Sequence, residues 1–127
     1  MFSVYNITEQ TVRPGEALVL DGINFLPSCA VKTVNRTVRA GIQRISASVN
    51  STPTVAGQII WDVEAGNTPI PGATIQTPGT TPGTYENGST EVIIPTVCNT
   101  SIQLVNNSEN PVTVPARGAS LVVKREG

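Results

Sequence analysis

Short β-favouring runs separated by Pro, Gly, Asn, Ser and Thr recur along nearly the whole chain. The clearest is Gln58 to Glu64, where Ile59, Trp61 and Val63 alternate with Gln58, Ile60, Asp62 and Glu64. That two-residue period predicts a half-buried strand. Ile42 to Val49 alternates in the same way, burying Ile45, Ala47 and Val49 and leaving Arg44 in water. Phe2 to Thr8 reads as a first strand, with Phe2, Val4 and Asn6 on one face and Ser3, Tyr5 and Ile7 on the other. Arg13-Pro-Gly15 is a turn and Ala17 to Asp21 a returning strand, closed by the tight-turn pair Asp21-Gly22. Cys29 to Val34 and Arg36 to Arg39 form a bent strand or a hairpin, which Gly41 ends. Gly66 to Gly72 is a turn followed by a short extended piece. Gln76 to Ser89, rich in Pro, Gly and Thr, carries no packing pattern and reads as a surface loop. Closing strands are expected at Thr90 to Cys98, Ser101 to Asn106 and Ala119 to Arg125. Asn106 to Pro111 turns the chain into a short Val112 to Val114 strand.

No window has a helical period. Eight to ten strands within one domain spanning residues 1–127 predict an all-β fold of two packed antiparallel sheets. Ile59, Trp61, Val63, Ile102, Leu104, Leu121 and Val123 are the expected core.

Composition narrows what such a sandwich does. Charged residues make up 13% of the chain, about half the usual share. Aromatics make up 4%, and mean hydropathy is near zero. Thr, Asn, Ser and Gln therefore supply the polarity, and they leave flat, weakly charged surfaces suited to packing against copies of the chain. A net charge of −1 gives no electrostatic footprint for nucleic acid, and Arg36, Arg39 and Arg44 read as a solvated face. No apolar run approaches the roughly 20 residues of a membrane span. The first ten residues lack the basic start and apolar centre of a signal peptide, so synthesis in the cytoplasm is expected.

Catalytic chemistry is sparse. With no histidine in the chain, the usual general base and the commonest metal ligand are both missing. Cys29 and Cys98 lie far apart in sequence; they form one disulfide or, in the favoured reading, two free thiols packed as small apolar groups. Asp62 and Glu64, two apart on one strand face, read as solvent-facing. Asn-X-Ser/Thr triplets at Asn6, Asn35, Asn50, Asn87, Asn99 and Asn106 read as chance in a chain so rich in these residues. The expectation is a protein that is not an enzyme, with no metal and no cofactor.

The order of motifs from Arg39 onward resembles the trimeric jelly-roll domains of the tumour-necrosis-factor and complement-head type, in their phage and prokaryotic versions. The residues that carry the likeness are Ala40-Gly41-Ile42 leading into Ile45 to Val49, then Ala56-Gly-Gln-Ile-Ile-Trp-Asp-Val63. Ala65-Gly-Asn-Thr-Pro-Ile-Pro-Gly-Ala73 follows, and the closing pair is Thr100 to Asn106 with Ala119 to Lys124. Phe2-Ser-Val-Tyr-Asn-Ile-Thr8 looks like the opening of small phage proteins of this type. Ile42 stands where such domains often carry an aromatic.

The resemblance implies a jelly-roll sandwich assembled as a homotrimer, with apolar side chains buried where sheets meet at the axis. Ile60 and Ile93 each break the polar face of a strand and are the expected contacts, with Val4 or Tyr5 from the first strand. No collagen-like stalk is present, which points to a virion rather than a spore surface. The implied role is a structural component decorating a phage capsid as a head fibre, spike or cementing protein, with capsid or other virion proteins as partners. Residues 1–12 are the expected anchoring arm. The rival expectation is a host-surface glycan- or receptor-binding module. Its recognition loops would be 76–89, through Thr81, Tyr85 and Asn87, and 106–110.

Overall fold

The computed structural model describes residues 2–25, 36–38, 41–97 and 100–126. Both cysteines and the expected strand from Cys29 lie outside them. Among the described residues, eleven strands follow one another: β1 Phe2–Tyr5, β2 Gln10–Val12, β3 Gly22–Phe25, β4 Arg36–Val38, β5 Gly41–Pro53, β6 Ile59–Ala65, β7 Thr68–Thr77, β8 Glu86–Thr96, β9 Thr100–Asn106, β10 Val112–Val114 and β11 Ala119–Arg125. They form an antiparallel sheet of seven strands and one of four, in a two-sheet jelly-roll sandwich.

The long strand β5 organises the larger sheet. On one side it pairs with β8 from Gly41↔Thr96 to Ser51↔Glu86. On the other it pairs with β11 and, further along, β10. β1 pairs with β11 and β2 with β10, so on that side β10 and β11 form one strand broken in the middle, and β2 and β1 beyond them another. Both breaks fall at the same level, and Asn6 joins them. Its side-chain amide donates to the carbonyls of Thr8 and Pro115, and its Oδ1 accepts from Ala119 N. The smaller sheet runs β4-β9-β6-β7.

The alternation read in the sequence is what fills the space between the sheets. Ile45, Val49, Leu121, Val123 and Val4 come from one sheet, and Ile59, Trp61, Val63, Ile102 and Leu104 from the other, all essentially inaccessible to water. Trp61 crosses between them, its indole Nε1 donating to Ser51 Oγ at 3.3 Å. A buried indole N–H needs such a partner, and Ser51 on β5 supplies it.

Several local expectations change. Gln76 to Ser89 is not one loop: β7 runs to Thr77 and β8 begins at Glu86, leaving 78–85 as the connection. The expected strand Ala17 to Asp21 is instead an extended segment hydrogen-bonded to β9 through Leu18 N to Leu104 O and Asn106 N to Glu16 O. Leu18 and Leu20 are buried by it. Asp21-Gly22 does not close a tight turn, because Gly22 opens β3, which pairs with β1. Residues 2–12 are not a free arm: β1 and β2 belong to the chain's own sheet, with Phe2, Val4 and Val12 buried in the core.

Candidate functional site

The outward face of the seven-stranded sheet is built in rungs, because residues paired across antiparallel strands point to the same side. One rung runs Ser89, Ser48, Ser120, Tyr5; the next runs Glu91, Ser46, Val122, Ser3. A third runs Ile93, Arg44, Lys124, and a fourth holds Pro95 and Ile42. At the centre the side chains are short hydroxyls. Ser46, Ser48, Ser89 and Ser120 line a shallow depression with Val122 and Glu91. Toward one end the face becomes apolar, with Ile42 41% and Ile93 51% exposed. Tyr5 extends the face across β3. Its ring lies against the backbone of Gly22, where a Cβ would sit 2.5 Å from Cε2, so only glycine leaves room for the ring.

One charged cluster interrupts this surface. Arg44 donates from Nη1 to Glu91 Oε1 at 2.7 Å and from Nε to Glu126 Oε1 at 2.5 Å. Ser46 Oγ donates to the second oxygen of Glu91 at 3.0 Å. The Ser46 hydrogen bond and then the Arg44 guanidinium hold the Glu91 carboxyl below the usual glutamate range. Glu126 and then Glu91 reinforce the charged form of Arg44.

The outward face of the four-stranded sheet has another chemistry. Asp62 is fixed at both oxygens, accepting from Thr74 Oγ1 and from Asn107 Nδ2, each at 2.5 Å. Gln58 and Gln76 lie beyond it, also hydrogen-bonded to each other. Ile60 stands half-buried among these polar groups.

The expected contact residues therefore part company. Tyr5 and Ile93 share the seven-stranded face, and Ile60 lies on the opposite side of the sandwich. Val4 is fully enclosed in the core and unavailable to a partner, because β1 turns that phase inward against β11. All seven expected core residues are buried. Arg44, Glu91, Glu126 and the serine rungs are absent from the sequence-derived site. Their signal was the polar phase of Ile42 to Val49, which set Arg44, Ser46 and Ser48 on one face without saying what lay beside them.

At the end where β5 finishes, the connections 54–58, 78–85 and 107–111 are tied together. Gly57 N donates to Gly79 O, Gly83 N to Thr52 Oγ1, and Thr54 Oγ1 to Pro111 O. Thr81 and Tyr85 are exposed on the middle connection, and Asn87 is exposed on β8 just after it. Phe2 and Glu126 lie at the other end, beside the start of β5. Among the described residues, no group of three or more His, Cys, Asp or Glu is placed to hold a metal ion, and no helix is long and apolar enough to cross a membrane.

No family model and no curated protein matches the chain. Solved structures do. The globular domain of zebrafish complement 1qA protein is 10% identical, with a TM-score of 0.66 over 98% of both chains. The CBM35 from Cellvibrio japonicus Abf62 is 11% identical, over 98% of this chain and 96% of that one, at a TM-score of 0.46, a likeness too slight to carry weight. At such identities the likeness is one of fold alone: the chain has a jelly roll similar to a complement globular head.

Proposed function

We propose that this chain is a non-enzymatic structural protein that assembles as a homotrimer through the outward face of its seven-stranded sheet and decorates the surface of a virion. The observation that carries the reading is the make-up of that face. Small hydroxyls on successive rungs let another sheet approach closely. Ile42, Ile93, Val122 and Pro95 supply apolar area, and Arg44 is compensated within the chain by Glu91 and Glu126. A flat surface of this kind loses little on desolvation and gains by covering Ile42 and Ile93. The four-stranded face, with Asp62, Gln58 and Gln76 already satisfied and wet, offers less to a copy of itself. The virion setting rests on the resemblance of the sequence to phage jelly rolls; capsid or other virion proteins are then the partners the trimer stands on.

Light scattering on the purified chain at low and high salt tests the assembly. A native mass about three times the chain's 13.3 kDa is expected, unchanged by salt because little of the interface depends on uncompensated charge. A monomer at both salt concentrations would overturn the reading and move attention to the loops around Tyr85.

A further inference from the structure

This inference rests on the trimer reading above and concerns how such an assembly comes apart. The charged cluster on the outward face draws on every strand around it. β5 contributes Arg44, β8 contributes Glu91, and the residue after β11 contributes Glu126. β11 adds Lys124, in register with Arg44 and so on the same face. β1, beyond β11, brings Ser3 and the phenol of Tyr5. Arg125 falls in the other phase, paired with Gln43, whose side chain is buried. Among the described residues, the patch at neutral pH therefore holds two cations, Arg44 and Lys124, and two carboxylates, Glu91 and Glu126.

We propose that this cluster is an acid-operated release: protonation of Glu91 strips the patch of half its compensation and drives the copies apart. Each copy then carries Arg44 and Lys124 against Glu126 alone on the face that packs against its neighbours. Like charges brought together at a partly desolvated interface repel far more than they do in water. Glu91 accepts its proton only below the ordinary glutamate value of 4.5, since Ser46 and Arg44 favour its ionised form. A carboxyl depressed in this way contributes its stabilisation above the ordinary range and loses it as pH falls through its own lower value. The trimer thus holds through mildly acid conditions and lets go only in stronger acid. The jelly roll itself does not need the cluster, whose side chains lie outside the core.

The test follows native mass by light scattering between pH 7 and about pH 2, with the emission of Trp61, the single tryptophan, reporting the core. The expected result is a threefold fall in mass while Trp61 emission stays that of a buried indole. The variant Glu91→Gln, which mimics the protonated carboxyl, is expected to be monomeric already at pH 7. A folded trimer that persists at about pH 2 would overturn the acid release and leave the trimer reading standing. If acid unfolds the wild-type chain, the variant decides alone: a trimer at pH 7 overturns the release. A wild-type monomer at pH 7 sinks the trimer reading and this inference with it.

Discussion

Two asparagines carry more of this structure than their chemistry suggests. Asn6 and Asn106 are both completely buried, and each spends its amide on backbone groups that a broken strand leaves without ladder partners. Asn106 donates to Val12 O and Asn110 O and accepts from Ser108 N, closing the turn after β9 and holding β2 against it. Asn6 does the same for the two breaks in the larger sheet. Removing such a side chain leaves buried backbone donors and acceptors unpaired, at about 1–3 kcal/mol for each uncompensated group. Asn6→Ala is therefore expected to lose about 3 kcal/mol, read as a lower urea midpoint with an unchanged slope. A loss below about half a kcal/mol would mean that water replaces the amide without cost. Burial also settles what the triplets beginning at these two residues are. Neither side chain is accessible for glycan attachment, and both are structural. The sequence put Asn6 in phase with Phe2 and Val4 and left open which face of that strand was the inner one. It could not show that Pro115 and Ala119, more than a hundred residues away, would meet it there.

At the scale of elements, alternation made β5 and β6 legible and composition hid the start of β8, which was expected only from Thr90. In β6 the apolar residues Ile59, Trp61 and Val63 hold one phase without a gap, so the buried phase is visible in one strand alone. In β8 the buried-side phase starts Glu86, Gly88, Thr90 before Val92 and Ile94 appear, and four of its first five residues are ordinary turn formers. That strand exists because β5 offers eleven residues of ladder, from Gly41 to Ser51, a long-range cause that no local window contains. The connection before it is likewise fixed by neighbours. Gly79 has φ +61°, and a Cβ there would lie 1.9 Å from the carbonyl oxygen of Gly57, a backbone atom that cannot swing away. Gly79→Ala thus combines an unfavourable left-handed conformation with a direct clash. Its expected effect is a fall in Tm of roughly 5–10 °C by calorimetry, corresponding to about 2 kcal/mol in a domain of this size. A change of less than a degree would show that the 54–58 connection moves aside freely.

For the whole molecule, the decisive property is which outward-facing residues share a surface, and this depends on register between strands far apart in sequence. Ile60 and Ile93 are indistinguishable as one-dimensional signals, each an apolar residue in the polar phase of its strand. The fold sends them to opposite sides of the sandwich: Ile60 beside Asp62 and its hydrogen-bonded neighbours, Ile93 beside Arg44 on the hydroxyl face. A matched pair of substitutions turns that separation into a measurement. Ile93→Lys adds a third cation to the rung that already holds Arg44 and Lys124 and takes away apolar area that a copy would cover. Ile60→Lys puts the same group two residues from Asp62, where the surface is already polar and an acid is at hand. If the seven-stranded face is where copies meet, Ile93→Lys runs at one third of the native mass while Ile60→Lys keeps it, with Trp61 emission unchanged in both. The reverse pattern would move the interface to the four-stranded sheet. Loss of assembly in both variants would mean that the copies meet at the sandwich edge between the sheets, where β7 and β8 lie side by side.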